Sequence, residues 1–214
     1  MTFKEKVSAL VESEWEDFTK VNNRGGRADC QDDKFTFTLT RTSQFRCWTE
    51  AMVDSYREDL AAAKVEGRNL PAEKYARMMQ KTAPEEFAAL RHLLREPSEE
   101  AERWIDKIVA AHVEWFRVYA AAYPCLAGGN RNEQEDVGSL GGTSFKTYLW
   151  GELHTYSERT LRLYAAYVDT LHAENKNLSI MIMTEQMRFY GFASLNEAEE
   201  RLREDRTDLD LRKP

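Results

Sequence analysis

Apolar residues recur at intervals of three and four along most of this chain, which is the pattern of amphipathic helices. In residues 3–21 this pattern places Val7, Leu10, Val11 and Phe18 on one helix face. The helix is expected to end at Gly25-Gly26, where glycine permits left-handed backbone geometry. The same reasoning predicts helices over residues 44–66, 71–81, 82–95 (with Thr82 as the N-cap), 98–122, 144–173, 179–190 and 195–205. The sequence therefore predicts an all-α protein.

Residues 27–44 depart from the helical period. Phe35, Phe37 and Leu39 alternate with threonines, which is the two-residue period of a strand. No second strand is evident to pair with them, so a short strand over residues 35–40 and an extended loop both fit the pattern. A second irregular stretch, residues 126–143, is rich in glycine and polar residues, and we predict a mobile loop there.

Two stretches of the chain resemble each other. Residues 56–70 read YREDLAAAKVEGRNL and residues 164–178 read YAAYVDTLHAENKNL, with Tyr, Glu, Asn and Leu at the same places. The similarity extends backwards to two pairs of short motifs: Glu14-Trp15 with Glu114-Trp115, and Trp48-x-Glu50 with Trp150-x-Glu152. We interpret these similarities as two diverged copies of one helical unit.

This interpretation sets the predicted organisation of the chain. The first helical repeat spans residues 1–97 and the second spans residues 98–204. The connection between them is short and charged, so the two repeats should pack directly as one globular domain. A charged tail, residues 205–214, follows and is expected to fray.

Composition narrows the class of protein. The chain has 214 residues, 42% of them hydrophobic and 31% charged, and a net charge of −7. This acidity argues against a nucleic-acid partner or an anionic membrane surface. No apolar run approaches the roughly 18 residues of a membrane span, and the acidic N-terminal helix is no secretory signal. Three cysteines without paired spacing suit a reducing cytoplasm.

Several polar motifs occur in order along the chain. They are Asn22-x-Arg24-Gly-Gly-Arg27-Ala-x-Cys30-Gln31, Ser43-Gln44-Phe45-x-x-Trp48, Gly67-Arg68-Asn69-Leu70, Glu73-Lys74-Tyr75-Ala76-Arg77-Met78-Met79, Ser144-Phe145-x-x-Tyr148, Gly151-Glu152-Leu153 and Thr155-Tyr156-Ser157. With these motifs the chain resembles the bacterial domain-of-unknown-function family 4125 over about residues 8–200. The resemblance implies a cytoplasmic bacterial protein and brings no established activity.

Arginines within these motifs suggest an anion site. A guanidinium group presents a fork of donors that matches a carboxylate or a phosphate. The candidate binding residues are Arg24, Arg27, Gln31, Arg68, Asn69 and Arg77. In the alternative interpretation, the Gly-Gly pair caps a helix and the arginines satisfy carbonyl groups and acidic neighbours.

Carboxylates and two other side chains are candidates for proton transfer. They are Glu14, Glu114, Glu152, His154 and Tyr75. If the repeats pack about a pseudo-twofold axis, Glu14, Glu50, Glu114 and Glu152 converge between helices. Helical di-iron sites usually contain Glu-x-x-His. Here histidine and glutamate are two residues apart, about 200° around a helix, so we predict no metal ligand.

We therefore expect a small-molecule enzyme or enzyme-like binder of an anionic metabolite, resembling an amino acid or a nucleotide. The reaction type and any cofactor are unassigned, and a protein partner is possible. Cys30, beside Arg27 in a glycine-containing loop, is a weak candidate nucleophile. Two alternatives stay open: a non-catalytic helical interaction module, and a helical metalloprotein with a carboxylate and histidine site.

Overall fold

A computed structural model describes residues 1–22, 26–128 and 144–211. This part of the chain forms α1 (Phe3–Phe18), α2 (Lys34–Arg46), α3 (Glu50–Val65), α4 (Leu70–Thr82), α5 (Pro84–Leu90), α6 (Glu99–Ala122), α7 (Pro124–Ala127), α8 (Phe145–Leu153), α9 (Glu158–Ala173), α10 (Leu178–Phe189) and α11 (Leu195–Leu211). Short 3-10 turns lie at Asp29–Gln31 and Arg91–Leu93. The described residues contain no strand, so the all-α prediction is confirmed. None of these helices is long and apolar enough to cross a membrane.

Helix α2 replaces the predicted strand or loop at residues 35–40. It packs between α1 on one side and α10 on the other. Its buried residues, Leu39, Arg41, Ser43 and Phe45, are therefore two residues apart, because successive ones face different neighbours. The alternation of Phe35, Phe37 and Leu39 does not mark a buried strand face, because Phe35 is 68% exposed and Phe37 is only partly buried. The strand or loop prediction was therefore wrong.

Four other boundaries differ from the prediction. The helix predicted over residues 44–66 is interrupted between α2 and α3, where the Thr49 side chain caps α3. The helix predicted over residues 144–173 is likewise interrupted between α8 and α9, where the Ser157 side chain caps α9. Thr82 is the last residue of α4, and its hydroxyl donates to the carbonyl of Met78 at 3.3 Å instead of capping α5. Helix α11 runs to Leu211, so the first part of the predicted tail is helical. Most of the predicted loop at 126–143 lies outside the described residues.

The helices of the two halves pack in matching ways. Helix α1 contacts α2, α3 and α4, and helix α6 contacts α8, α9 and α10. Between the halves, α2 packs on α10, α4 packs on α8, and α3 packs on α9. Helices α7 and α11 form a smaller group against α6 and α10.

The two similar stretches also form matching hydrogen bonds. Asn69 caps α4 and donates through Nδ2 to the carbonyl of Asp17 at 2.8 Å. Asn177 caps α10 and donates through Nδ2 to the carbonyl of Trp115 at 2.9 Å. Two related units predict such matched bonds. The duplication and the repeat boundaries themselves stay predictions.

The proposed pairing of Glu14 with Glu114 is wrong in register. Tyr56 in α3 donates to Glu14 at 2.9 Å, and Tyr164 in α9 contacts Nε2 of His112 at 2.7 Å. His112 therefore occupies in the second half the place that Glu14 occupies in the first. Glu114 lies two residues further along α6 and is exposed.

Four aromatic side chains meet where the halves join. The rings of Tyr56 and Tyr156 are 4.6 Å apart, and the rings of Trp48 and Tyr164 are 5.2 Å apart. All four side chains are buried. They connect the region of α3 to the region of α9.

We expect the stability of the protein to fall as the pH is lowered through the range in which His112 gains a proton. Burial lowers the pKa of His112 to about 4, while an unfolded histidine titrates near 6.5. The unfolded chain therefore binds more protons between these pH values, and the free energy of unfolding decreases from pH 6.5 to pH 4 by up to about 3 kcal/mol. Urea unfolding across this range should show a shallower decrease for His112→Gln, and equal slopes would contradict this assignment.

Candidate functional site

A cavity of about 460 Å³ lies between α1, α2, α4 and α8. Its floor is charged, its walls are aromatic and its rim is polar. The lining residues are Glu14, Phe18, Cys30, Asp33, Thr36, Phe37, Thr40, Arg41, Tyr56, Leu70, Pro71, Lys74, Tyr75, Tyr148, Glu152 and Thr155. We call this space the central cavity.

Arg41 is the centre of the floor of the central cavity. Its guanidinium donates two bonds of 2.6 Å to Glu14 and a third, of 2.9 Å, to Glu152. A fourth bond, of 2.7 Å, reaches the side-chain oxygen of Gln44. Arg41 therefore bridges the two carboxylates in the bidentate manner for which arginine is suited.

The second cation of the floor is Lys74. Its ammonium donates to Glu152 at 2.9 Å and lies 3.4 Å from the centre of the Tyr148 ring. Gly151 allows this arrangement, because α4 and α8 approach closely there. A Cβ at position 151 would lie 3.0 Å from the carbonyl oxygen of Lys74.

Arg41 and Glu152 keep their charges because oppositely charged neighbours offset the cost of burying them. Burial alone would raise the pKa of Glu152, but the charges of Arg41 and Lys74 hold it well below its ordinary value. Burial alone would lower the pKa of Arg41, but Glu14 and Glu152 hold it well above its ordinary value. Near neutral pH Arg41 and Glu152 are therefore both charged.

Two tyrosines complete the hydrogen bonds of the floor. Tyr56 donates to Glu14 at 2.9 Å, and Tyr156 donates to Glu152 at 2.7 Å. Burial, together with the neighbouring carboxylates, raises the pKa of both phenols. They are therefore protonated donors under physiological conditions, and they do not act as bases.

The walls of the central cavity are aromatic. Phe18 and Phe37 are stacked with ring centres 5.1 Å apart, and Tyr75 lies 6.4 Å from Phe18 and 6.4 Å from Tyr148. Burial raises the pKa of Tyr75. These rings form the aromatic walls that surround the charged floor.

Sequence comparison identifies the family of the chain. A family model described as "Protein of unknown function (DUF4125)" matches residues 4–200. The chain belongs to the DUF4125 family. The resemblance that the polar motifs suggested is thereby confirmed. No curated protein and no solved structure matches this DUF4125 chain.

Three of the five residues predicted for proton transfer line the central cavity of the DUF4125 protein: Glu14, Glu152 and Tyr75. The other two lie elsewhere. Glu114 is exposed on α6. His154 is buried outside the cavity, with Nδ1 2.8 Å from the carbonyl of Trp150. Because this nitrogen faces a carbonyl, it carries the proton in that contact.

The predicted binding residues do not form one site. Arg27 donates to the carbonyls of Thr19 and Gln31 and to Asp32, at 2.8 to 3.0 Å. Arg68 donates two bonds, of 2.7 and 2.6 Å, to Glu73. These arginines are satisfied locally, as the alternative interpretation of the motifs expected.

The two predicted amide residues have structural roles. Buried Gln31 donates to the carbonyls of Phe18 and Val21 at 3.1 and 2.9 Å. Asn69 caps α4, as described above. Arg24 lies outside the described residues. Arg77 lies beside His154 in a smaller cavity, which is treated separately below.

The expected convergence of Glu14, Glu50, Glu114 and Glu152 between helices is wrong. Glu14 and Glu152 share Arg41, whereas Glu50 forms an exposed ion pair with Lys6 at 2.8 Å, and Glu114 is exposed. Within residues 1–22, 26–128 and 144–211, no three His, Cys, Asp or Glu side chains are placed to hold one metal ion.

Sequence reasoning missed the two cations of the floor. Arg41 lies in the threonine-rich stretch that was predicted to be strand or loop, so no helix face was assigned to it. Lys74 belongs to a recognised polar motif and is directly beside Tyr75. Its position next to a predicted site residue could have indicated that Lys74 also belongs to the site. The aromatic walls were missed because Phe18 and Tyr148 resemble ordinary core residues in sequence.

Proposed function

We propose that this DUF4125 protein binds a small organic molecule in its central cavity. The observation that carries the proposal is an aromatic cavity of about 460 Å³ whose floor is a buried network of four charges. Ligand pockets typically occupy about 300–1,000 Å³ and combine apolar walls with a few fixed polar groups. The central cavity has this size and this composition.

The charged floor supports function more than stability. Burying ion pairs costs desolvation, and apolar residues of similar volume often stabilise a protein equally well or better. Glu14, Arg41, Lys74 and Glu152 are all at least 91% buried, given exposed fractions of 5%, 9%, 8% and 5%. A role in binding and orienting a ligand would explain why four charged residues lie at the bottom of a cavity.

The aromatic walls and the charged floor favour a ligand that has a planar ring and a hydrogen-bond acceptor group. Phe37, Tyr75 and Tyr148 present ring surfaces on which a planar molecule can stack. An ammonium group has three donors, and among the described residues only Glu152 accepts a hydrogen bond from Lys74. A carboxylate or carbonyl of the ligand would use the remaining donors. Since the floor itself has no net charge, a ligand with at most one negative charge fits best.

The contacts of the candidate proton-transfer residues limit the proposal to binding. Glu14, Glu152 and Tyr75 line the cavity, but both carboxylates are engaged by cations and the phenols are protonated. We therefore propose binding as the activity and assign no reaction. We also propose a location in the bacterial cytoplasm, which the exposed thiol of Cys30 and the buried thiol of Cys47 support.

A non-catalytic interaction module is the second candidate function. The observation that favours it is the local satisfaction of Arg27 and Arg68, which makes these motif arginines structural. In this alternative the central cavity is a consequence of packing, and filling it would leave the activity of the protein unchanged.

Blocking the rim tests the first proposal against the second. Thr36 lines the rim and is exposed, so Thr36→Trp should fill the mouth of the cavity without disturbing the core. Thr38 is exposed on the same helix about 200° away, and Thr38→Trp is the matched control.

We expect wild-type protein and Thr38→Trp to bind members of a panel of aromatic carboxylic acids in thermal-shift and calorimetric titrations. Thr36→Trp should weaken binding of the same compounds by about tenfold or more, which corresponds to about 1.4 kcal/mol. Equal binding by Thr36→Trp and Thr38→Trp would place the ligand elsewhere and contradict the proposal.

A further inference from the structure

A second cavity, of about 240 Å³, lies between α4, α5, α6 and α8. Arg77 of α4 and His154, directly after α8, line it, together with Trp150, Glu96 and Glu102. Trp150 and His154 lie on the opposite side of α8 from Glu152, about 200° around the helix. This second cavity is therefore separate from the central cavity.

Arg77 is a buried cation that forms no direct ion pair with a described residue. It is 5% exposed, and its Nη2 donates to the carbonyl of Arg95. Its buried Nε has no hydrogen-bond partner in the described part of the chain. Arg41, at 9% exposure, instead has two carboxylate partners. A buried charge without a paired counter-ion is costly: the more distant carboxylates Glu73, Glu96 and Glu102 favour the charged form of Arg77, but burial outweighs them and lowers its pKa.

We propose that the second cavity binds a small monoanion, by preference a carboxylate, with Arg77 as its counter-charge. A guanidinium with unused donors is suited to a planar carboxylate. A cavity of about 240 Å³ is large enough for a short carboxylic acid. This proposal rests on Arg77 and is independent of the ligand of the central cavity.

The other charges of the second cavity select against a dianion. Glu96 and Glu102 line the same space, and each additional negative charge on a ligand increases the repulsion from them. Arg91 pairs with Glu96 at 2.9 Å, and Nε2 of His154 lies 3.2 Å from Glu102. The aromatic rings of Trp150 and His154, 3.9 Å apart, provide a surface for the apolar part of a carboxylic acid.

Nuclear magnetic resonance of the arginine Nε–H groups tests this proposal in the wild-type protein. The protein is titrated with acetate, with phosphate and with chloride at constant ionic strength. We expect the Arg77 resonance to shift saturably with acetate, more weakly with phosphate and not with chloride. Arg68 Nε, which donates to Glu73 at 2.7 Å and lines neither of the two cavities, is the internal reference and should stay unchanged.

Several results would overturn the proposal. An unsaturable shift, or an equal shift of all arginine resonances, would show only a general salt effect. Tighter binding of phosphate than of acetate would contradict the preference for a carboxylate.

A variant pair provides a second readout of the same site. Arg77→Gln should weaken the apparent affinity for acetate by about tenfold or more. Arg27→Gln, which removes an arginine engaged by carbonyls, should leave it unchanged. Equal affinities in the two variants would contradict the proposal. If Arg77→Gln does not fold, the wild-type titration decides alone.

Discussion

Replacing Arg41 with leucine is expected to lower the free energy of unfolding by about 3–5 kcal/mol. The variant leaves Glu14 and Glu152 buried, at 5% exposure each, without their shared cation. Lys74 can compensate only Glu152, which it contacts at 2.9 Å. Urea unfolding monitored by circular dichroism measures the loss as a lower midpoint.

Arg46→Leu is the matched control for this prediction. Arg46 lies on the same helix, is exposed, and pairs with Glu185 at 3.4 Å. A surface pair of this kind contributes between about 0 and 1 kcal/mol. If Arg41→Leu is as stable as Arg46→Leu, the buried charge network is not formed as described.

Gly151→Leu is expected to destabilise the protein by about 2–3 kcal/mol through overpacking. A Cβ at position 151 would lie 3.0 Å from the backbone oxygen of Lys74 and 2.9 Å from Cγ of Met78. The Met78 side chain can move, but the backbone of α4 can yield only if α4 and α8 separate. That separation also displaces Lys74 from Glu152, so ligand binding in the central cavity should weaken together with stability.

Lys146→Leu provides the comparison on the same helix. Lys146 is exposed on α8, and a surface substitution of this kind changes stability by about 0.5 kcal/mol or less. Urea midpoints of the two variants measure the difference. A Gly151→Leu protein as stable as Lys146→Leu would show that α4 and α8 do not approach as closely as the structure indicates.

Most of the fold follows from periodicity. In helices α1, α4, α6 and α10 the apolar residues recur at the helical spacing, and the positions of these helices were predicted within a few residues. Helix α2 was not predicted, because Phe35, Phe37 and Leu39 alternate with threonines, although Phe35 is 68% exposed. The register of the repeat was wrong because the match of Glu14-Trp15 with Glu114-Trp115 is short, and hydrogen bonds to Tyr56 and Tyr164 select His112 instead.

The candidate site was only partly predictable, because its charged residues bond to partners that are far away along the chain. Glu14, Glu152 and Tyr75 were selected individually as polar residues near recognisable motifs. The bonds that join them to cations span 27 residues from Arg41 to Glu14, 111 from Arg41 to Glu152, and 78 from Lys74 to Glu152. No local pattern reveals such pairs. Arg27 and Arg68, which were predicted to bind a ligand, instead have hydrogen-bond partners that are near in sequence.

Native mass spectrometry of gently purified protein tests the central claim most directly. Wild-type, Thr36→Trp and Thr38→Trp proteins are prepared side by side from the same cells. We expect wild type and Thr38→Trp to retain a small molecule of the same mass, and Thr36→Trp to lack it. A molecule retained equally by all three proteins, or by none of them, would contradict the claim that the central cavity holds a ligand.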